Sequence, residues 1–162
     1  MSASISLKSI AKKINDKTII ADCNLGLEKG KILSIVGNNG CGKSTLLKIL
    51  AGAIDADSGD IFIDGELLNT KAHNIRKKIC YIPDYIDFDP NLNIYENLYI
   101  YLRINSNQTL NEINNKIAHW SNILEFKDLL YLKINQIRES KLRLIQLSKG
   151  LASNPDYFIL DH

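Results

Sequence analysis

Apolar and polar positions along the chain predict strands and helices in alternation. The run Lys31–Val36, Lys-Ile-Leu-Ser-Ile-Val, is short, apolar and partly β-branched, the pattern of a strand buried on both faces of a parallel sheet. A glycine-rich turn follows, and from Lys43 onward Leu46, Leu47, Ile49 and Leu50 supply a helical apolar face that Gly52 brings to a stop. Ile61 and Ile63 alternate with Asp60 and Asp64, and Asp64-Gly65 marks a hairpin turn, so a small antiparallel element is expected here. Ile79–Ile82 reads as a buried strand ended by Pro83. Ile94–Ile104 and Leu110–Leu124 read as helices, the second with Ile113, Ile117, Trp120 and Leu124 on one stripe. Leu142–Ala152 repeats the helical period, Asn154-Pro155 ends it, and Tyr157–Leu160 is a last apolar strand leading to Asp161. Strands alternating with helices predict an α/β fold.

Composition narrows the class. The chain has 162 residues, 45 % apolar and 23 % charged, the range of one globular domain able to bury a core. Its 20 basic and 18 acidic residues leave a formal charge of +2, too little to point to nucleic acid or an anionic membrane as the main partner. Lys8, Lys12 and Lys13 have no apolar segment of a leader beside them and no run approaches a spanning helix, so a cytoplasmic chain is expected. Cys23, Cys41 and Cys80 are scattered without C-x-x-C spacing, which argues against a disulfide framework or a zinc site.

The chemistry concentrates in Gly37-Asn38-Asn39-Gly40-Cys41-Gly42-Lys43-Ser44, which matches G-x-x-x-x-G-K-S/T and lies where that pattern works, after a predicted strand and opening a helix. Glycines let successive N–H groups curve round a phosphate. The helix N-terminus adds partial positive charge, Lys43 reaches the β- and γ-phosphates, and Ser44 offers its hydroxyl to Mg²⁺. Nucleotide binding is the reading, with Gly37, Asn38, Asn39, Gly40, Cys41, Gly42, Lys43, Ser44 and Thr45 as its residues. Cys41 reads as a small loop residue in preference to a reactive thiol.

Four stretches in order resemble the ATPase subunits of ABC transporters: the Asn-Asn-Gly-Cys-Gly-Lys-Ser-Thr wording of the loop, Asp57–Gly65 after it, Ile79–Asp84 like the entry to the family's Q-loop, and Leu92–Leu98 like the start of its helical subdomain. Tyr157–Asp161 looks like a Walker B strand that carries a carboxylate to its C-terminal end. The resemblance spans essentially the whole chain. It implies a P-loop NTPase core of the ABC-ATPase kind, with a small antiparallel β part and a helical subdomain at roughly 92–152 of a single domain over 1–162. It also implies ATP and Mg²⁺ as cofactors, with Ser44, Asp161 and Asp84 as candidate metal residues. The partners implied are a second ABC ATPase subunit, identical or different, and a transmembrane permease, with no nucleic acid. The subunit would then lie peripherally on the inner face of a membrane, coupling ATP binding and hydrolysis to transport. Asn97–Arg103 and Ala118–Trp120 resemble small exporter ATPases, including those of the haem-exporter type.

The chain departs from the family pattern at four places. Ile14 stands where the family stacks an aromatic on adenine, and Asp84 where it has Gln or Glu. Ile137-Arg138-Glu139-Ser140-Lys141 occupies the place of the Leu-Ser-Gly-Gly-Gln signature, while Ser148 reads as part of a helix. His162 follows Asp161 where the family has the glutamate that handles the attacking water, and it is the one candidate catalytic residue. The family continues beyond Walker B with a strand placed between the Walker A and Walker B strands. A chain lacking that strand is expected to be C-terminally incomplete and marginal or partner-dependent in its fold. These departures motivate an alternative, a non-hydrolysing nucleotide-binding module or truncated remnant. A soluble ABC-type ATPase of translation or DNA repair lacks its second phosphate loop here. A G-protein lacks its Asn-Lys-x-Asp element, since Asn115-Lys116 is followed by Ile117-Ala118.

Overall fold

The computed structural model describes residues 4–69, 72–106 and 108–161. The chain forms two compact units, one reaching to Ile79 and including Asp161, the other Cys80–Leu160.

The first unit is built on a long antiparallel hairpin. Strands β1 (Ile5–Ile14) and β2 (Lys17–Leu27) pair with Ile14 opposite Lys17, and Asn15 and Asp16 make the turn at φ 48° and 60°. Both positive values suit a two-residue I′ turn, for which Asn and Asp are among the favoured residues. Strand β3 (Ser58–Ile63) pairs antiparallel with the other edge of β1, and β4 (Glu66–Leu67) returns on β3 through Asp64-Gly65, giving the order β2-β1-β3-β4. Ile5, Leu7, Ile10, Ile61 and Ile63 are buried. Helix α1 (Lys43–Leu50) follows the glycine-rich turn and buries Leu46, Ile49 and Leu50, and the short α2 (His73–Arg76) closes the unit.

One expectation is corrected here. Residues 31–36 form no ladder, and no described strand pairs with them. Ile32 is 96 % exposed and Val36 88 %, so the apolar run is not a buried strand. Burial of a central strand depends on neighbours on both sides, and the described strands pair elsewhere.

The second unit joins β5 (Ile79–Ile82) and β6 (Tyr157–Leu160) in a two-stranded sheet and adds three helices, α3 (Ile94–Asn105), α4 (Leu110–Ile123) and α5 (Glu139–Ser153). Helices α3 and α4 both start in capping boxes, Asn93 with Glu96 and Thr109 with Glu112, which satisfy orphan N–H groups at each start. Their apolar stripes meet around Leu98, Leu102, Ile113, Ile117, Phe126 and Ile145. Helix α5 ends at Asn154 in the left-handed region at φ 54°, one residue before Pro155.

Candidate functional site

Within the first unit the loop Gly37–Gly42 leads into α1. Gly42 is the residue before the helix, at φ 104°, and a Cβ there would lie 2.9 Å from Ile19 Cγ2 and 3.1 Å from the Ile19 carbonyl oxygen. Only glycine combines that dihedral with that approach to β2. Cys41 N–H donates to the Asn38 carbonyl at 3.3 Å and tightens the turn. Lys43 Nζ donates to the carbonyls of Gly37 at 2.8 Å and Asn38 at 2.9 Å, so its ammonium lies over the loop.

The start of α1 differs from those of α3 and α4. Gly42 offers no side chain to cap it, and its first turn holds no acid. Its leading N–H groups and the helix dipole therefore face outward, beside the Lys43 ammonium, which is a donor set matched to an anion. Ser44 Oγ donates to Asp161 Oδ1 at 2.9 Å, although 117 residues separate them. A hydroxyl and a carboxylate within hydrogen-bond distance, next to a phosphate cradle, suit a hard cation such as Mg²⁺ that takes oxygen ligands and shares a phosphate. The residues present thus fit a nucleotide phosphate and its metal.

The other sequence candidates fall elsewhere. Asp84 belongs to the second unit, where Arg143 Nη1 donates to its carbonyl at 2.8 Å and lies 3.5 Å from its carboxylate. Ile137 and Arg138 lead into α5, and Glu139, Ser140 and Lys141 form its first turn, where Arg143 Nη2 pairs with Glu139 at 2.8 Å. Ser148 lies inside α5, its hydroxyl donating to the Ile145 carbonyl at 2.6 Å. Ile14 sits at the tip of the β1–β2 hairpin, 44 % exposed. His162 lies outside the described residues.

Sequence reasoning passed over the polar residues of α5 that grip the segment after β5. Gln146 Nε2 donates to the carbonyls of Pro83 at 3.2 Å and Tyr85 at 3.0 Å, and Lys149 Nζ lies 2.6 Å from both carboxylate oxygens of Asp87. Gln146 and Lys149 are 2 % and 4 % exposed. A signal was present: Gln and Lys at positions that the helical period turns inward with Leu142 and Ile145 demand buried partners. Behind them Cys80 is buried, and burial pushes its thiol pKa up.

No helix among the described residues is long and apolar enough to cross a membrane, and no group of three or more His, Cys, Asp or Glu is placed to hold a metal. The sequence model of the ABC transporter family matches residues 20–162. The chain is 34 % identical over 160 residues to the sn-glycerol-3-phosphate import ATP-binding protein of Bartonella bacilliformis, covering 98 % of this chain and 46 % of that protein. It is 32 % identical over 157 residues to the spermidine/putrescine import ATP-binding protein of Pasteurella multocida, 97 % of this chain and 42 % of that protein. The chain thus spans less than half the length of these curated relatives. Among solved structures, a dimeric ATP-binding cassette in a post-hydrolysis state with ADP and Pi superposes with a TM-score of 0.88 at 24 % identity, over 98 % of this chain and 73 % of that one. The cbiO1 protein of Clostridium perfringens, part of the ABC transporter complex cbiONQ, superposes with a TM-score of 0.82 at 17 % identity, over 100 % of this chain and 66 % of that one. These structural likenesses establish an α/β fold of the ATP-binding-cassette kind.

Proposed function

The chain belongs to the ABC transporter family, and we propose accordingly that it is an ATP-binding subunit that couples ATP binding and hydrolysis to transport by a membrane partner. The observation that carries this reading is the uncapped start of α1 beneath Gly37–Gly42, with Ser44 hydrogen-bonded to Asp161. Gly37–Thr45 hold the phosphates through backbone N–H groups. Lys43 exchanges its loop carbonyls for phosphate oxygens, and Ser44 and Asp161 hold Mg²⁺, directly or through water. Mg²⁺, when bound, neutralises charge on the transferring phosphoryl group. Asp84 is the weaker third candidate for that metal, since its carbonyl and carboxylate both face Arg143.

The partners that follow from this reading are a second ATPase subunit and a permease, with the chain held peripherally on the cytoplasmic face. The proteins named above that share its sequence are import subunits, which favours an importer. The haem-exporter type rests on Asn97–Arg103 and Ala118–Trp120 alone. Direction of cargo movement after reconstitution with a permease separates the two.

The test is equilibrium binding of Mg-ATP, followed by turnover. Wild-type chain binds and hydrolyses ATP, and Lys43→Ala abolishes both. Binding without turnover would move the protein to the non-hydrolysing class, and absence of binding at millimolar ATP would overturn the reading.

A further inference from the structure

Strand β3 begins at Ser58, which pairs with Ala11, so its ladder gives out while β1 runs on to Ile14. Asp57 takes over at that point. Its N–H donates to the Ala11 carbonyl at 2.9 Å, its Oδ2 accepts the Lys13 N–H at 2.7 Å, and its Oδ1 accepts the Lys12 ammonium at 2.7 Å. Every second residue of a strand turns its N–H and carbonyl to the same edge, so Lys13 presents its N–H on the edge where Ala11 meets β3. The Asp57 carboxylate stands in for the strand carbonyl that is missing there. The Lys12 ammonium and the Lys13 N–H hold that carboxyl below the usual carboxylate range, as a charge-assisted tie does.

On the other edge of β1, Lys12 pairs with Ile20 and Lys13 with Thr18, which leaves Ile19 as the extra residue of a β-bulge in β2. A bulge re-aims the residue it contains, and this one turns Ile19 to the phosphate loop. Its Cγ2 and carbonyl oxygen come within 2.9 and 3.1 Å of where a Cβ on Gly42 would stand. The path closes on itself within the first unit. Gly42 opens α1, residues 51–57 lead from α1 to Asp57, and Asp57 grips the two residues that flank the bulge on the facing strand.

We propose that Asp57 is a positioning residue for the phosphate loop: by holding Lys12 and Lys13 it fixes the bulge at Ile19, and through Ile19 the seat of Gly42 at the start of α1. Its effect on ligand affinity rests on the ATP-binding reading above, whereas its hold on the loop does not.

Two measurements on the whole chain test this. The first is hydrogen exchange without nucleotide, read by mass spectrometry. Asp57→Ala speeds exchange about tenfold over residues 17–21 and over 41–47, where the Cys41 and Leu46 N–H groups are bonded to Asn38 and Gly42, and leaves β3 at 61–63 at wild-type rates. Wild-type exchange over either of the first two stretches overturns the proposal. If Asp57→Ala loosens β3 as well, Asp57→Asn replaces it, because the amide oxygen still accepts the Lys13 N–H while the ion pair with Lys12 is lost. A change of about threefold is then expected at the same two stretches alone, and loosening of β3 in both variants overturns the proposal. The second measurement is calorimetric titration with Mg-ATP and with Mg-tripolyphosphate. Asp57→Ala weakens both by about tenfold and to the same degree, because the displaced part is the one that holds phosphates, and Asp57→Asn recovers most of the loss. A folded Asp57→Ala chain that binds both ligands like the wild type has lost only a structural tie, and that result overturns the positioning role. So does a loss confined to ATP, which would put the effect at the hairpin tip instead of the loop. A wild type that binds neither ligand overturns the proposed function alone, because the exchange measurement needs no nucleotide.

Discussion

Gly150 sits inside α5, at the start of its last turn, where glycine is ordinarily a poor choice, and the structure explains it. A Cβ at this position would lie 2.6 Å from Phe158 Cζ, 2.7 Å from Cys80 Sγ and 2.9 Å from Phe158 Cε1. Helix α5 therefore crosses the β5–β6 sheet at a point with no room for a methyl group, in contact with one residue from each strand. Two terms of opposite sign decide what Gly150→Ala does. Alanine improves the intrinsic propensity of the helix by about 1 kcal/mol. Forcing a methyl into an occupied space costs about 1–3 kcal/mol. The ring of Phe158 is partly exposed and can yield, but Cys80 is only 1 % exposed and is fixed by its strand, so the steric term prevails. The expected net loss is about 1 kcal/mol, which at a urea dependence of about 1–2 kcal/mol/M lowers the unfolding midpoint by about 0.5–1 M. Trp120, the single tryptophan, lies in α4 of the same unit and reports that transition by fluorescence. Cys80→Ala removes one of the two obstacles. In that background Gly150→Ala costs less by at least about 0.5 kcal/mol, the coupling expected of residues in contact. A Gly150→Ala chain more stable than wild type, or the same cost in both backgrounds, would show that the close approach at Gly150 does not set the position of α5.

Ser44→Ala removes the hydroxyl bonded to Asp161, and Mg-ATP affinity falls by about tenfold while Mg-free ATP binding barely changes; calorimetric titration with and without Mg²⁺ measures both. Glu112 accepts hydrogen bonds from the Thr109 backbone N–H and hydroxyl, which hold its carboxyl below the ordinary 4.5. A lowered folded value means that its contribution is complete above pH 4.5 and is lost as pH falls through the folded value. The protection of amides at the start of α4, taken relative to their intrinsic exchange rate at each pH, therefore falls on acidification, and Glu112→Gln removes that fall. Thiol labelling proceeds in the order Cys41, Cys23, Cys80, following exposed, half-buried and buried positions, and Cys80 reacts only when the second unit unfolds; rapid labelling of Cys80 in the folded chain would contradict its burial.

Helices were the most legible elements in the sequence. Expected spans of 94–104, 110–124 and 142–152 correspond to α3, α4 and α5, because a stripe at helical period needs only one covered face to be readable. The β1–β2 hairpin was harder to see. Its register shifts between Leu7 and Ile10 and again near Lys12, and Ser9 and Asp22 take φ values of 50° and 48°, so the period-two alternation is broken within each strand. Asn15-Asp16 was the available clue. Residues 31–36 misled in the opposite sense, since an apolar run states what a segment prefers but not whether another strand lies beside it. In the site, the phosphate loop followed from a local pattern whose spacing encodes the chemistry, whereas the place of Asp161 beside Ser44, 117 residues away, was implied only by the resemblance to the family. The grip of Arg143, Gln146 and Lys149 on Pro83–Asp87 followed from neither, because it joins residues about sixty positions apart, with no shared spacing.

The run Ile32-Leu33-Ser34-Ile35-Val36, exposed except at the half-buried Ile35, has a consequence for handling the protein. Five consecutive uncharged residues free of proline, three of them the β-branched Ile32, Ile35 and Val36, form the kind of segment that stacks on copies of itself into cross-β fibrils. Lys31 is the one charge adjoining the stretch, a single gatekeeper against self-templated growth. The same side chains that would make a good central strand make this stretch the point from which concentrated solutions of the chain precipitate, and a second charge at Ile32, 96 % exposed and so free to be changed, is the substitution that keeps them clear.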